Sequence, residues 1–300
     1  MPTLVVILGP TGVGKTDESL RLAHRYGCPI VSADSRQIYR DLPIGTAAPT
    51  ADEQKEIRHY FVGCKALTEN YSAGQYARDC RALLAELFLT YDHVVMVGGS
   101  MMYVDAVCHG LDDMPEVSST IRDEVRAEYQ QHGLPWLQAE VERIDPAYWA
   151  EVDRQNPQRL MHCIEIYRAS GQPYSSFRHH GKPNRPTRTA QGFDIEEVMI
   201  TRPRKELYDR INRRVDKMME NGLVEEAKRA FEILGVSLVP LPEGAAEVLP
   251  NSVNTVGYKE LLRYFRGEWT LDYAVEMIKQ NSRHYAKRQM TWWRNKANKI

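Results

Sequence analysis

The sequence predicts an α/β protein: a P-loop-type parallel sheet core flanked by helices, with an inserted, mainly helical domain. Three observations lead to this fold class. The apolar run from Leu4 to Leu8 leads directly into a glycine-rich loop and a helix, as a buried parallel strand does. Strand-like and helical segments then alternate, which is typical of a parallel sheet. After about Met114 the pattern becomes helical, and a strand candidate returns only at 193–201.

The order of the elements sets the predicted domain boundaries. The strand candidates are 4–8, 29–32, 93–97 and 193–201. Apolar spacing and terminator residues predict helices at 15–26, 74–90, 119–132, 134–144, 157–170, 203–220, 223–234 and from about 271. We therefore expect a core formed by 1–114 and 193–300, which includes the C-terminal helices, and a helical insertion formed by 115–192. Within the insertion, 178–192 is polar, basic and rich in Pro and Gly, so we expect a mobile connector.

Composition excludes several classes of protein. The chain has 300 residues and 34.5 kDa, enough for one large domain or two ordinary ones. No segment approaches the roughly 18 consecutive apolar residues of a membrane helix. The five cysteines are scattered and form no C-x-x-C pair, which argues against a disulfide framework or a zinc site and fits a reducing compartment. We expect a cytoplasmic protein with no membrane partner.

The distribution of charge is more informative than the net charge of −1. Between Pro157 and Arg188 there are six Lys or Arg residues and one acid, and from Ile278 to Ile300 there are seven and no acid. Such segments indicate either anion contacts or solvated helix faces. In the last helix Ile278, Tyr285 and Trp292 repeat every seven residues, which predicts one packed stripe.

The first functional motif is the loop between the first strand and the first helix. It satisfies G-x-x-x-x-G-K-[ST], and the strand before it and the helix after it supply the context that the motif requires. Its residues are Gly9, Pro10, Thr11, Gly12, Val13, Gly14, Lys15 and Thr16. Backbone N–H groups and the helix N-terminus favour an anion there. Lys15 adds a charge, and the Thr16 hydroxyl is a candidate ligand of Mg²⁺. The motif predicts a polyphosphate site without identifying what the phosphate is attached to.

Asp34 is the one acid well placed after a strand, in the stretch SADS. Beside phosphates, a carboxylate can serve a metal or act as a general base for an acceptor nucleophile. Asp is also a common helix N-cap, so both interpretations stay open. The strand at 93–97 ends in glycines and not in the acid that a nucleotide hydrolase needs for its metal.

Arg210, Arg213 and Arg214 flank an apolar stripe on the helix at 203–220. Arginines in such positions are usually solvated. An arginine aimed at a leaving diphosphate would instead stabilise the charge that develops as the bond breaks.

Taken together, the motifs resemble one family, the tRNA dimethylallyltransferases (tRNA isopentenyltransferases). GPTGVGKT followed by SADSRQIYRDLPIGTAAP is similar to the opening of that family, and DSRQIY is its distinctive part. The stretches YSAGQYARD, VVMVGGSMMY, NPQRLMHCIEIYRASG, RINRRVDKMMENGLVEE, TVGYKE and YAKRQMTWWRN follow in the family's order. The resemblance covers essentially the whole chain.

The resemblance implies transfer of a dimethylallyl group from dimethylallyl diphosphate to N6 of the adenosine immediately 3′ of the anticodon. By this likeness Asp34 would accept a proton from the amine, or a hydrogen bond. Thr16 would hold the diphosphate with Lys15 and Mg²⁺, and Arg210 would stabilise it as it leaves. The residues that match tRNA-contacting segments of the family are Asp34, Ser35, Arg36, Gln37, Ser100, Gln158, Arg159, Leu160, Met161 and His162. The helical insertion would hold the anticodon stem-loop, mainly through phosphates.

Two positions depart from the family pattern. Ala48 replaces the lysine of GTAKP, and Met101 replaces a glycine of GGTGLY, where it could narrow the channel. Three other functions remain open on the residues alone: prenyl transfer to free adenine nucleotides, a P-loop kinase of a small metabolite, and non-catalytic RNA binding. We expect a monomer with tRNA and dimethylallyl diphosphate as its partners.

Overall fold

The core of the protein is a five-stranded parallel sheet. The computed structural model describes residues 1–110, 112, 114–178, 192–240 and 248–297, with the side chains up to residue 294. The strands are β1 (Thr3–Leu8), β2 (Ile30–Ser32), β3 (His59–Tyr60), β4 (His93–Val97) and β5 (Asp194–Met199). Their order is β3-β2-β4-β1-β5, and every pairing is parallel. The predicted α/β class is therefore confirmed.

The interior strand β1, between β4 and β5, carries the phosphate loop at its carboxyl end. Leu4 to Ile7 are fully buried, since β1 pairs with β4 on one side and with β5 on the other. Strands β2 and β4 end beside it, and their last residues Ser32 and Val97 are paired in register. The carboxyl ends of parallel strands form the usual ligand edge of such a sheet.

Twelve helices are present in the described part of the chain. They are α1 (Lys15–Tyr26), α2 (Ala51–Glu56), α3 (Ala73–Leu87), α4 (Met101–His109), α5 (Ser119–Ile144), α6 (Pro146–Trp149), α7 (Pro157–Ser170), α8 (Tyr174–Phe177), α9 (Arg204–Glu220), α10 (Leu223–Leu234), α11 (Tyr258–Phe265) and α12 (Leu271–Ala297). The two helices predicted at 119–132 and 134–144 are the two parts of α5, which is interrupted at Gly133 (φ 69°). No described helix has the length and apolarity required to cross a bilayer.

The chain divides into two compact units. One comprises Met1–Gly110, Pro186–Pro240 and Leu249–Ile300, and the other Leu111–Arg185 and Leu241–Val248. The second unit has its own apolar core, in which Val125, Leu137 and Val141 of α5 pack with residues of α7. That 1–114 and 193–300 form the catalytic core and 115–192 a tRNA-contacting insertion remains a prediction. Most of the predicted connector, 179–191, lies outside the described residues.

Helix α7 shows how the sequence sets a boundary at both ends. The Asn156 side chain caps the first turn by accepting from the N–H of Arg159, and Pro157 occupies the first helical position. Gly171 ends the helix with a φ of 70°, a conformation that favours glycine. The buried stripe includes Leu160 and Ile164, so the other face is left to polar residues.

The packed stripe of α12 differs from the predicted one. Ile278 is buried, but Trp292 is 40% exposed, whereas the adjacent Trp293 is 4% exposed. The prediction that Trp292 packs in the core is wrong. A straight α-helix drifts by about 20° for each seven-residue repeat. Trp292 is therefore rotated by about 40° from Ile278, and the buried face continues along the 3.6-residue period through Ala286, Gln289 and Trp293.

Candidate active site

The phosphate loop owes its shape to its glycines. Gly9, Gly12 and Gly14 all have positive φ angles, of 149°, 80° and 104°. A Cβ on Gly9 would lie 2.6 Å from the carbonyl oxygen of Ile200, and one on Gly12 would lie 2.8 Å from the Ile211 side chain. Glycine is therefore required both for the backbone conformation and for the close approach. The loop ends where α1 begins, so that the N-terminus of this helix faces the anion site.

Lys15 is bonded to its own loop. Its Nζ donates to the carbonyls of Gly9 and Pro10, at 3.0 and 2.9 Å. Burial and, to a smaller extent, the positive charge of Arg214 lower the pKa of Lys15 from 10.5 to about 8, while Asp34 opposes both effects. An anion that binds here would favour the ammonium form of Lys15, because a nearby negative charge stabilises the protonated lysine.

The loop forms one wall of a cavity of about 790 Å³. Lys15 and Thr16 lie on this wall together with Gly12 and Gly14. The facing walls are formed by the turn after β2, the loop after β4 and the cationic side of α9. Their lining residues include Asp34, Ser35, Arg36, Gln37, Gly98, Gly99, Ser100, Arg210, Arg213 and Arg214. The cavity thus joins the predicted phosphate site to the predicted acid.

Asp34 uses its two carboxylate oxygens differently. Oδ1 accepts from the backbone N–H of Arg36 at 2.9 Å and of Gln37 at 3.4 Å, so it stabilises the turn that follows β2. Oδ2 lies beside Gly99, where an added Cβ would be 2.9 Å away. In the described chain no helix begins between β2 and α2, so Asp34 is not the helix N-cap that the sequence also allowed. Oδ1 holds a turn, and Oδ2, which faces the loop after β4, stays a candidate for the reactive role.

The neighbours of Asp34 form a polar surface on the same cavity. Ser100 Oγ accepts from the N–H of Ser35 at 2.8 Å and donates to Ser35 Oγ at 2.9 Å. The Gln37 amide donates to the carbonyl of Ala47 at 3.0 Å, and Arg36 donates to Asn251 Oδ1 at 3.1 Å. The Ser35–Ser100 contacts hold the predicted tRNA-binding turn against the loop after β4, and the other two contacts tie it to Ala47 and Asn251.

Helix α9 supplies the cationic wall. Its buried residues Leu207 and Ile211 place Arg210 and Arg214 on the side that faces the cavity. Arg210 Nε donates to the carbonyl of Gly12 at 2.9 Å. Burial lowers the pKa of Arg214, and the nearby Asp34 raises it; an arginine remains charged in such a setting.

Sequence reasoning missed the contact of Arg202 with the phosphate loop, and it named Arg214 only as one of three arginines beside the apolar stripe of α9. Arg202 Nε donates to the carbonyl of Val13 at 2.7 Å, and Arg214 lies close enough to Lys15 to lower its pKa. The four-residue spacing of Arg210 and Arg214 puts them on one helix face and could have identified the second. Arg202 precedes α9, so helical spacing does not apply to it.

Helix α7 carries the second set of predicted tRNA-binding residues, and this helix belongs to the second compact unit. Gln158, Arg159 and His162 are exposed. The side chains of Leu160 and Met161 are buried in the core of that unit, at 0% and 4% exposure. Any contact that these two residues make with a macromolecule is therefore limited to their backbone.

The two departures from the family pattern lie in different surroundings. Ala48 lines the cavity. Met101 begins α4 and packs against the main hydrophobic core, and it is not among the described residues that line the cavity. The expected narrowing by Met101 is therefore not supported.

Sequence comparison relates the chain to proteins of known family. Residues 37–296 match the family model described as IPP transferase. The tRNA dimethylallyltransferase 2 of Parabacteroides distasonis is 52% identical over 294 residues, which cover 98% of this chain and 92% of that protein. The tRNA dimethylallyltransferase 1 of Bacteroides thetaiotaomicron is 49% identical over 294 residues, which cover 98% of this chain and 89% of that protein.

Solved structures give the same result. The tRNA isopentenylpyrophosphate transferase of Bacillus halodurans is 35% identical with a TM-score of 0.65, over 99% of this chain and 88% of that one. A eukaryotic dimethylallyltransferase acting on tRNA has a TM-score of 0.74 over 97% of this chain and 70% of that one. At 22% identity, this second likeness shows the fold alone.

Proposed function

The chain belongs to the tRNA dimethylallyltransferase (IPP transferase) family, and on this premise we propose how its cavity performs the transfer. The phosphate loop holds the diphosphate of dimethylallyl diphosphate. Asp34 receives the N6 amine of the adenosine immediately 3′ of the anticodon. The observation that carries this assignment is that one cavity brings Lys15 and Thr16 together with Asp34.

The assignment gives each group a step in a balanced reaction. The N6 nitrogen forms a bond to the first carbon of the dimethylallyl group, and the bond from that carbon to the diphosphate oxygen breaks. The amine proton passes to Asp34, and the electron pair leaves with the diphosphate. Lys15, Arg210 and Arg214 stabilise the charge that develops on the leaving group, as preorganised cations do at a transition state.

Mg²⁺ fits the oxygen donors of this cavity. In the described residues no cluster of three or more His, Cys, Asp or Glu could hold a metal by itself. Mg²⁺ commonly takes one or two protein oxygens and completes its shell with phosphate and water. The Thr16 hydroxyl on the cavity wall is the protein ligand that we assign. The bound ion would neutralise charge on the diphosphate.

The RNA partner is supported by the surfaces next to Asp34 and on α7. Ser35, Arg36, Gln37 and Ser100 line the cavity and are available to hydrogen-bond an extruded base. A stacked N6 amine has to leave the base stack before it can react. Gln158, Arg159 and His162 offer an exposed polar face for the backbone of the stem-loop, to which Leu160 and Met161 contribute only main chain. An RNA substrate also supports a cytoplasmic location. We further propose that the protein is a monomer.

Analysis of modified nucleosides tests the proposal. Purified protein is incubated with Mg²⁺, dimethylallyl diphosphate and unmodified tRNA, and the digested RNA is analysed by mass spectrometry. We expect one dimethylallyl group on one adenosine of the anticodon loop. Parallel reactions with AMP or ADP should give no product. Prenylation of free nucleotides with none on tRNA would contradict the proposed acceptor.

A further inference from the structure

Gln289 joins two loops of the active site. Its side chain on α12 is fully buried. The amide oxygen accepts from the N–H of Thr11 in the phosphate loop at 2.8 Å, and the amide nitrogen donates to the carbonyl of Gly99 at 2.8 Å. The orientation of the amide is determined, because an N–H can only donate and a carbonyl can only accept.

The Gly99 end of this link lies against Asp34. A Cβ on Gly99 would be 2.9 Å from Asp34 Oδ2 and 3.3 Å from the Gln289 amide nitrogen. One residue earlier, a Cβ on Gly98 would overlap the carbonyl of Ala33 at 2.1 Å. The loop after β4 is thus in direct contact with the backbone and the carboxylate that follow β2. A displacement of Gly99 would therefore also displace the Asp34 carboxylate.

Neighbouring residues of α12 hold Gln289 in place by a hydrogen bond and by packing. One turn before Gln289, the Tyr285 hydroxyl also donates to the carbonyl of Gly99, at 2.9 Å. Between the two, Ala286 is fully buried in a cluster with Val13 of the phosphate loop and with Ile211 of α9. Functional groups are held most accurately when they are supported by packed helices.

The polarity of Gln289 is not explained by packing. A buried amide that lacks partners costs more free energy than an apolar side chain of the same size. Methionine would fill nearly the same volume without that requirement. The amide is therefore explained by the two loops that it connects.

We propose that Gln289 is a positioning residue that sets the separation between the phosphate loop and Asp34. This inference rests on the proposed function, in which the loop holds the donor and Asp34 faces the acceptor. The amine, the carbon and the leaving diphosphate must then lie in line. A misplacement of about 1 Å can cost about 100-fold in rate, so a single link between the two half-sites governs the chemical step more than the binding of either substrate.

Two variants separate positioning from packing. Gln289→Met keeps the volume and removes both hydrogen bonds. Tyr285→Phe is the matched control, since it removes a hydrogen bond to the same Gly99 carbonyl and leaves the link to Thr11 intact. Single-turnover prenylation, the KM values for both substrates, Tm, and hydrogen exchange of the phosphate-loop peptide are measured for each.

We expect Gln289→Met to lower the single-turnover rate by about 10- to 100-fold with nearly unchanged KM values. Hydrogen exchange at Thr11 should increase in this variant and not in Tyr285→Phe, which keeps the link to Thr11 and should lose less of the single-turnover rate than Gln289→Met. Equal rate losses in the two variants that follow their Tm values would overturn the inference, as would an unchanged rate in Gln289→Met. Absence of prenylation by the unaltered protein would instead overturn the proposed function.

Discussion

The two carboxylate oxygens of Asp34 have different surroundings, and we propose that one serves structure and the other chemistry. Oδ1 accepts two backbone N–H groups of the turn, while Oδ2 faces the loop after β4. An amide oxygen can accept the same two bonds, whereas an amide cannot take up a proton. The two uses of Asp34 can therefore be separated by a substitution that preserves the shape of the side chain.

We predict that Asp34→Asn retains the turn and loses the chemical step. The single-turnover rate should fall by at least about 100-fold, the usual contribution of a general base, with tRNA affinity nearly unchanged. The measurements are rapid-quench prenylation and filter binding. Parallel losses of rate and affinity would mean that Asp34 serves the turn alone.

Lys15 makes diphosphate binding depend on pH. Its pKa is lowered to about 8, first by burial and then by Arg214. As the pH rises through that value, the free protein loses the ammonium charge, so binding of an anion must take up a proton. We predict that pyrophosphate affinity falls between pH 7 and pH 9, by up to about tenfold for each pH unit above the pKa.

Calorimetric titration with pyrophosphate measures this dependence. Lys15→Gln is the control, because any slope that remains in the variant belongs to the titration of the ligand. The contribution of Lys15 is the difference between the two slopes. Identical slopes in the two proteins would contradict the prediction.

At the scale of elements, α9 joins the apolar core to the anion site. Its buried stripe fixes the rotation of the helix, and that rotation brings Arg210 and Arg214 to the cavity wall. The same helix therefore has one face in the core and a cationic edge at the phosphate loop. Helix α12 also contacts the phosphate loop, since Ala286 packs with Val13 and Gln289 accepts a hydrogen bond from the N–H of Thr11.

We predict that Arg214→Gln slows transfer by about 100-fold, comparable to the loss of one preorganised transition-state donor. The Arg214 guanidinium lies near both Lys15 and Asp34, so we expect its removal to weaken stabilisation of the leaving diphosphate. Arg229→Gln on the exposed face of α10 is the matched control and should leave the rate unchanged. Equal rates for the two variants in single-turnover assays would exclude Arg214 from the reaction.

At the scale of the whole molecule, residues of the sheet unit line the cavity, and the α5–α7 unit carries the exposed Arg159. We predict that Arg159→Ala weakens tRNA binding and reduces the slope of log K against log salt by about one, as expected for the loss of one phosphate contact. Arg143→Ala is a control in the same unit, because Arg143 is already paired with Glu140. A slope that Arg159→Ala leaves unchanged would remove Arg159 from the phosphate contacts.

Local patterns predicted the parts of the molecule that depend on nearby residues. The apolar run of β1, the glycine loop and the capped ends of α7 are each encoded within a few positions, and all lie where expected. Strand β3 has two residues, too few to show a period. The burial of Trp293 in place of Trp292 follows from the 3.6-residue period of α12, which departs from an exact seven-residue repeat.

Contacts between distant segments could not be predicted in the same way. Gln289 meets Thr11 across 278 positions of the chain, and nothing near either residue in the sequence indicates the pairing. Arg202 reaches Val13 in the same manner. The sequence supplied the chemical groups of the site, whereas the folded sheet determines which of them meet.

The central claim is that the phosphate loop holds a leaving diphosphate and not a nucleotide. The most direct test is the amount of pyrophosphate released for each prenylated tRNA, in Mg²⁺ with dimethylallyl diphosphate and no nucleoside triphosphate. We predict one pyrophosphate for each dimethylallyl group transferred, and no effect of added ATP other than competition. A transfer that requires ATP, or ATP turnover without any prenylated tRNA, would contradict the claim.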